Sequence, residues 1–462
     1  MSQQGRCVLA AEEGERVLDR LGLLEKIITT AEIQQVLENT GRINRRACTL
    51  THEVMMWIVL AMGLFTELPI RQVFKQARRL QEKEKTPGRS SLCLARQRLG
   101  LEPVLRLFEQ VVRPLATPDT PGAFYRGWRL VGMDGSLYNL PDSRQNEAYF
   151  GRPSGERGPG AFPQARKLSL VELGTHVEFA LEVGGYRTSE VAMAPALLKH
   201  LAPGMLLLWD RNFFSCKLWN AVISRKVAVL ARVQKGYQLK PIRTLSDGSY
   251  LAEIRPSKRH GRKHRLPVRV RVIKYVLEDP RRVGHGEVHT LITSILDPTE
   301  APALELIVLY HERWEHELTY DEQKCHLDPP RITKPTHMRS ETAEGVVQEI
   351  YAVSLAHFVI RSFMFQAAQA AAIDPDRLSF TGCYHVLKCR LPECDTRSPK
   401  AFDRWYQALL WELECERTEP RRNRVNPRVV RQTQRKWAKK KPEHYRQPPL
   451  TKAFVQTAVV LR

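Results

Sequence analysis

Apolar residues in the first quarter of the chain recur with a helical period. Between residues 26 and 118 this pattern predicts a helical N-terminal domain, preceded by a short leader at 1–25. The stretch Val54–Phe65 is nearly all apolar, so its helix is expected to be buried on every side. Pro69 opens a second helix, and a Thr-Pro-Gly sequence at 86–88 breaks the chain after it.

Two short helices on either side of that break resemble a helix-turn-helix. Ser90 or Ser91 can cap the second helix, which carries Arg96 and Arg98. The second helix of such a motif reads DNA, so both arginines are candidate DNA-binding residues. A helical bundle with no DNA role offers such pairs equally well, and this structural alternative stays open.

Between residues 125 and 210 short apolar runs alternate with turn signals. They predict the strand Trp128–Met133, the hairpin strands Lys167–Leu173 and Val177–Val183, the helix Ser189–Leu201 and the buried strand Met205–Trp209. Asp134 follows the first of these strands, and Asp210 follows the last. Each aspartate taken alone is a common turn or capping residue.

From about residue 227 to 310 the apolar positions change to a period of two. This pattern predicts a β-rich insertion, itself placed at about 227–305, with strands at Val227–Val233, around Val268–Val272, at Val288–Leu296 and at Leu304–Leu309. Residues 343–372 then predict a long, buried apolar helix, and mixed helices follow it.

Residues 310–324 carry polar side chains at helical spacing. In one continuous helix of about 100° per residue, Tyr310, Arg313, Glu317 and Lys324 fall within an arc of about 60°. The carboxylate can hold a divalent metal, and the cations can hold phosphate. Asp321 lies on the same arc, and an ordinary ion pair between Arg313 and Glu317 on a solvated face explains the spacing as well.

The charge of the chain indicates a polyanionic partner. Lys and Arg number 72 against 50 Asp and Glu, which gives a formal net charge of +22 and favours nucleic acid. The apolar stretch Val54–Phe65 is too short to span a bilayer, and the N-terminus predicts no secretion signal. The nine scattered cysteines are typical of a reducing cytosol.

The acidic residues at the predicted element ends suggest a metal site. Carboxylates at the ends of neighbouring strands, here Asp134 and Asp210, can converge with one from a facing helix. Such a cluster binds two hard cations about 3.5–4 Å apart, which serves in-line displacement at phosphorus.

These residues resemble the insertion-sequence-four family of DDE transposases. The spacing Tyr310-x2-Arg313-x3-Glu317-x6-Lys324 matches the family signature. Asp134-Gly135-Ser136 resembles the first catalytic block of the family, and the six residues from Asp210 to Ser215 resemble the second. Further similar segments are Phe150-Gly-Arg-Pro, Gln164-Ala-Arg and Leu173-Gly-Thr-His. The chain departs from the family at Asn212, where glycine is usual, and at Glu315-His316, where an apolar residue is commoner before the glutamate.

The resemblance implies an α/β fold with a ribonuclease-H-like catalytic core over 125–375, interrupted by the β-rich insertion. A mainly helical C-terminal region over 376–462 would follow. Asp134, Asp210 and Glu317 would be the catalytic ligands of Mg²⁺, with Mn²⁺ as a substitute, so the resemblance selects Glu317 over Asp321.

The resemblance also implies the partners of the protein. Tyr310, Arg313 and Lys324 would contact double-stranded DNA at the inverted repeats that end a transposon. Target DNA would be a second DNA partner of the protein. The protein would act as a homodimer on paired ends in the bacterial cytoplasm, associated with the nucleoid.

Two other functions stay open at this stage. A metal-dependent nuclease without strand transfer would use the same core. A non-catalytic DNA-binding protein would hold the same carboxylates for structural reasons.

The basic run at residues 421–441 generates a prediction. It holds ten Lys or Arg and no acid, and phosphate contacts release counterions. If it lies on DNA, deleting 421–462 weakens binding to every sequence alike and flattens the slope of log K against log salt by about 0.9 per lost contact. Gel shifts over a salt series measure that slope, and an unchanged slope would show that the run is only a solubilising end.

Overall fold

The computed structural model describes residues 20–44, 48–78, 86–155, 158–233, 239–254, 267–279, 285–330, 335–394, 398–419 and 454–461. Internal contacts divide the chain into two units. The first comprises Met1–His200 and Glu315–Thr418, and the second comprises Leu201–Trp314 and Glu419–Arg462. The domain limits near 25, 118, 227, 305 and 375 stay a prediction, and the mixed α/β class is confirmed.

The described residues form helices throughout both units. They are α1 Thr30–Asn39, α2 His52–Leu64, α3 Ile70–Gln76, α4 Arg89–Leu99, α5 Glu102–Val111, α6 Arg144–Phe150, α7 Glu190–Leu197, α8 Cys216–Ile223, α9 Ala303–His311, α10 Trp314–Asp321, α11 Ala343–Ala370, α12 Phe380–Arg390 and α13 Pro399–Cys415. Short 3-10 turns occur at Gly22–Lys26, Leu198–His200, Arg211–Phe213, Pro375–Arg377, Leu391–Glu393 and Phe454–Gln456, and a π-helix occurs at Glu322–Leu327.

The strands in the described residues are β1 Phe124–Tyr125, β2 Trp128–Asn139, β3 Ser154–Gly155, β4 Gly158–Pro159, β5 Gln164–Glu172, β6 Val177–Gly185, β7 Met205–Trp209, β8 Ala228–Arg232, β9 Arg243–Thr244, β10 Tyr250–Ile254, β11 Val268–Leu277, β12 His289–Thr293 and β13 Ala458–Val460.

The predicted N-terminal helices are confirmed over 30–111. Residues Val54–Leu64 of α2 are all buried, and Pro69 caps α3. A side chain at Gly63 would collide with the Ala352 carbonyl of α11, so glycine allows these two helices to pack closely. The predicted cap of α4 is wrong, because the helix begins at Arg89 and Gly88 occupies the cap without a side-chain hydrogen bond.

The long apolar helix is confirmed as α11. By length and composition alone it could cross a membrane, but 94% of its most apolar window is buried inside the protein. It therefore has the character of a core helix, against which α2, α5, α12 and α13 pack.

In the first unit, β2, β5 and β6 form an antiparallel ladder, as the predicted hairpin requires. The prediction that β2 ends before Asp134 is wrong, because β5 supplies partners for β2 as far as Asn139. Asp134 therefore lies in the middle of a strand, directly opposite Ser169. The next residue, Gly135, has no side chain, and the Glu190 side chain occupies the space where a Cβ would lie.

In the second unit, β7 and β8 are parallel, and β8, β12, β11, β10 and β9 continue as antiparallel neighbours. Strands between 228 and 293 confirm the predicted β-rich region. Leu304–Leu309 was predicted as a strand and is helical in α9, since a short apolar run fits either element and Pro302 favours a helix start. Arg271 breaks the predicted alternation of β11, because it is buried and paired with Asp247.

The signature segment is not one helix. α9 ends at His311, a turn follows, α10 begins at Trp314, and a π-helix covers Glu322–Leu327. The single 60° arc is therefore wrong, because the turn interrupts the helical phase and i→i+5 bonding in the π-helix changes it again.

The basic run at 421–441 lies outside the described residues. Near the C-terminus, β13 pairs with β11. Deleting 421–462 would therefore also remove a strand of the second unit, and replacing the cations of 421–441 by glutamine is the cleaner test of DNA binding by that run.

Candidate active site

Asp134 is half-buried in the middle of β2. One of its carboxylate oxygens accepts a hydrogen bond of 2.8 Å from the Gly135 amide. Its backbone carbonyl accepts a hydrogen bond of 2.7 Å from the Tyr320 hydroxyl, which belongs to α10. The strand that carries Asp134 is thus directly tied to the helix that carries Glu317.

Glu317 lies at the edge of the buried face of α10. The neighbouring positions Glu315, His316, Thr319 and Tyr320 are buried, whereas Glu317 is half-buried. Asp321, the alternative acid on this helix, is exposed at its end and forms an ion pair of 3.3 Å with His326. Glu317 is therefore positioned by the packed part of the helix, and Asp321 is not.

Lys324 lies in the π-helix and is held against β2. Its Nζ donates to Ser136 Oγ at 3.0 Å and to the Leu137 carbonyl at 2.8 Å, and it lies 5.1 Å from the centre of the Tyr138 ring. Burial lowers the pKa of Lys324. These bonds place the ammonium group beside the part of β2 that follows Asp134.

Asp210 belongs to the second unit and follows β7 directly, as predicted. Its carboxylate caps the 3-10 turn Arg211–Phe213 and accepts a bond of 2.7 Å from the Arg211 amide. The Ser215 side chain caps α8.

Tyr310 lies in the same unit, near the end of α9. Its hydroxyl donates to the Trp209 carbonyl at 3.2 Å, one residue before Asp210. Burial raises the pKa of the Tyr310 phenol. Arg313 lies in the turn between α9 and α10 and is half-buried. Of the six predicted residues, Asp134, Glu317 and Lys324 belong to the first unit, and Asp210, Tyr310 and Arg313 belong to the second.

Arg96 and Arg98 have different surroundings although both are on α4. Arg98 is exposed. The Arg96 side chain is only 13% exposed and forms an ion pair of 3.0 Å with Glu349. Its guanidinium also contacts Gln348, Ser340 and the Gly345 carbonyl. A DNA role of Arg96 stays a prediction, but these contacts give it a structural role that the sequence pattern did not indicate.

A buried ionic network in the first unit was missed by the sequence analysis. Glu322 contacts His176 at 3.0 Å, His357 at 2.9 Å and Arg361. His176 also lies 2.5 Å from Glu315 and 3.5 Å from Asp376. The described residues thus bring together polar side chains from the β5–β6 turn, α10, the π-helix and α11.

The protonation of His176 fits this network. Burial and the Arg361 charge lower the pKa of His176, but the surrounding carboxylates outweigh both and raise it to about 9. The donor atoms of His176, Glu315 and Asp376 are spaced closely enough to hold a cation. Protonated His176 and Arg361 already supply positive charge beside these carboxylates. The sequence feature that could have indicated this network is the presence of charged residues inside apolar segments, such as Arg361 in α11.

Two family profiles match the chain. The profile described as insertion element 4 transposase N-terminal matches residues 18–109, and the transposase DDE domain matches residues 131–359. The second match contains Asp134, Asp210 and Glu317. The protein is a DDE transposase, an enzyme of DNA transposition that acts on DNA and depends, as this class implies, on divalent metal ions.

The relatives narrow the assignment. The chain is 29% identical over 404 residues to the transposase InsG for insertion sequence element IS4 of Escherichia coli (strain K12). The aligned region covers 87% of this chain and 89% of that protein. The chain belongs to the insertion-sequence-four family of DDE transposases, which confirms the resemblance of its motifs.

A solved structure of the piggyBac transposase synaptic complex with hairpin DNA covers 85% of both chains, at 11% identity and a TM-score of 0.41.

The contrast between Arg96 and Arg98 yields a prediction about stability. Burial alone would raise the pKa of Glu349, but Arg339 and Arg96 hold it at about 2. Arg96→Gln should therefore cost about 1.5–3 kcal/mol of unfolding free energy at pH 7. The exposed Arg98→Gln should change it by less than about 0.5 kcal/mol. Urea unfolding of both variants measures the difference.

The pH dependence has a defined sign. A carboxyl group with a depressed folded-state pKa stabilises the protein above its ordinary value of 4.5, and this contribution is lost as pH falls from there towards 2. The gap between wild type and Arg96→Gln should narrow over that window. Equal unfolding free energies of the two variants at pH 7 would contradict the structural role of Arg96.

Proposed function

We propose that this transposase cuts DNA at the ends of its insertion sequence and joins them to target DNA, using Asp134, Asp210 and Glu317 as metal ligands. The observation that carries the proposal is the attachment of α10 to β2, which ties the helix of Glu317 to the backbone of Asp134. The match of the DDE domain over residues 131–359, which contain all three acids, supports the same assignment.

The donor set suits hard divalent cations. Asp134, Asp210 and Glu317 are each half-buried, so their carboxylates keep access to solvent, and oxygen ligands are those that Mg²⁺ prefers. Mg²⁺, or Mn²⁺ in its place, would activate the attacking oxygen and stabilise the charge on the leaving oxygen.

The order of elements supports a ribonuclease-H-like core. Three antiparallel strands, β2, β5 and β6, are followed by α7 and then by the parallel pair β7 and β8. The remaining strands of the β-rich region, β9 to β12, then separate β8 from α9 and α10. In this arrangement Asp134 lies on β2, Asp210 follows β7, and Glu317 lies on α10.

The cationic residues of the signature are proposed to bind the DNA backbone. Lys324 is held beside β2 and can present its charge to a phosphate near the scissile bond. Arg313 has the planar fork suited to a bidentate phosphate contact. Tyr310 anchors the strand end before Asp210 through the Trp209 carbonyl, and its ring would face transposon-end DNA. Two copies would act together on paired inverted repeats.

The first test removes each carboxylate. Asp134→Ala, Asp210→Ala and Glu317→Ala should each lower cleavage of end-containing DNA by at least about 10³-fold, because the metal ions lose a ligand. Folding and end binding should be retained. Cleavage assays in Mg²⁺ and in Mn²⁺, with a thermal melt of each variant, measure these effects.

The matched control is Asp321→Ala, since Asp321 is the exposed acid one turn beyond Glu317 on the same helix. It should cleave at the wild-type rate. If Glu317→Ala cleaves at the wild-type rate, or if only Asp321→Ala loses cleavage, Glu317 is not the metal ligand on this helix. A pre-cut end incubated with target DNA separates transposition from simple hydrolysis, because a nuclease forms no joined product.

The second test concerns Arg313. Arg313→Lys keeps the charge but loses the fork, so cleavage should slow by about tenfold while the Mg²⁺ requirement is unchanged. Arg225→Lys is the control, since Arg225 is an exposed arginine in the same unit and lies outside the motif segments. Separate titrations of Mg²⁺ and of end DNA decide the outcome. An altered Mg²⁺ requirement with normal DNA affinity would mean that Arg313 only neutralises Glu317.

A further inference from the structure

The contact between α10 and the β2–β5 ladder is made by a short chain of buried hydroxyl groups. The Tyr320 side chain is buried, and its hydroxyl lies 2.7 Å from the Asp134 carbonyl and 2.9 Å from Ser169 Oγ. Ser169 Oγ also lies 3.0 Å from Nε2 of His316. Since Ser169 is the cross-strand partner of Asp134, all these contacts meet at one register position.

The protons in this chain have one consistent direction. A phenol has a single proton, and Tyr320 donates it to the Asp134 carbonyl. Ser169 must then donate to the Tyr320 oxygen, and its own oxygen can accept from His316. The chain therefore runs from His316 through Ser169 and Tyr320 to the backbone of Asp134.

The geometry of the helix connects this chain to Glu317. His316 and Tyr320 are one turn apart on the buried face of α10, with ring centres 5.0 Å apart. At about 100° per residue, Glu317 lies about 60° from Tyr320, at the rim of that face. Gly132 on β2 allows the helix to approach the strand closely, because a Cβ there would lie 2.8 Å from Nδ1 of His316.

We propose that Tyr320, supported by Ser169 and His316, is a positioning residue for the transposition reaction: its hydroxyl fixes the helix that carries Glu317 on the backbone of Asp134. We name these three residues the Tyr320 clamp. The inference rests on the proposed roles of Asp134 and Glu317 as metal ligands. Tyr320 itself touches neither metal nor DNA in this proposal, and it acts by holding two ligands in a fixed relation.

A positioning role differs from ordinary stability in what it changes. Losing a buried hydroxyl lowers stability wherever it happens. Misplacing Glu317 relative to Asp134 would in addition raise the Mg²⁺ concentration needed for half-maximal cleavage and lower the rate at saturation. The chain offers a matched control in Tyr384, which is buried in the same unit and donates its hydroxyl to the Leu64 carbonyl at 2.6 Å.

The experiment compares Tyr320→Phe with Tyr384→Phe in the full chain. The probe is a linear duplex carrying the terminal sequences that flank the reading frame. Cleavage rates are measured across a Mg²⁺ series, with thermal melts and end binding measured without divalent metal. Tyr320→Phe should lower the saturated rate by about ten- to a hundredfold and raise the half-saturating Mg²⁺ concentration. Tyr384→Phe should leave both within about twofold, and both variants should bind ends like the wild type.

The outcomes separate this inference from the proposed function. If Tyr320→Phe matches Tyr384→Phe in rate and Mg²⁺ requirement while Glu317→Ala is inactive, the Tyr320 clamp is overturned and the metal site stands. If Glu317→Ala cleaves normally, or the wild type binds ends without cutting them, the proposed site fails and the clamp with it.

Ser169→Ala serves if Tyr320→Phe does not fold. It keeps the Tyr320 phenol and removes the proton that orients it, so it should cause a smaller loss of rate and the same direction of change in Mg²⁺ requirement. Wild-type values for both quantities in a folded Ser169→Ala protein would also refute the clamp.

Discussion

The first unit depends on the pairing of charges buried beneath the π-helix that follows α10. Glu322 is almost wholly buried and is surrounded by His176, His357 and Arg361, which hold its pKa well below the ordinary value against the effect of burial. An unpaired carboxylate at this depth would cost several kcal/mol, on the order of 3–5. The network therefore requires the β5–β6 turn, the π-helix and α11 to keep their relative positions.

The buried network reaches the helix of the candidate site. Glu315, two residues before Glu317, contacts His176, and Lys167 on β5 is buried between Glu178, Gln323 and Ser354. His176 adopts a left-handed backbone conformation with φ of 57°, which is unfavourable for a residue with a Cβ. Its ring is held by Glu315 and Glu322 and lies 3.5 Å from Asp376.

Much of the fold was predictable because it follows from local patterns. The apolar period predicted α2 and α11, the hairpin β5–β6 and the strand β7, and the position of Asp210 after β7 followed from the length of that strand. The motif spacing led to the correct family. The single signature helix and the end of β2 before Asp134 were wrong, because they depend on helix phase and strand pairing that neighbouring residues do not encode. The strand at Leu304–Leu309 was wrong because a short apolar run fits a helix and a strand equally well.

The sequence by itself determined the family, the acidic residues of the candidate site and the type of most elements, since periodicity and motif spacing are local properties. Only the tertiary structure decided which polar side chains are buried and what they pair with. Arg96 and Arg98 lie two residues apart on one helix, yet one is paired internally with Glu349 and the other is exposed. The partner of Arg96 is 253 positions away in the chain, and only folding brings two groups at that separation together. Because a buried charge without a partner is costly, the burial of Arg96 depends on that distant contact.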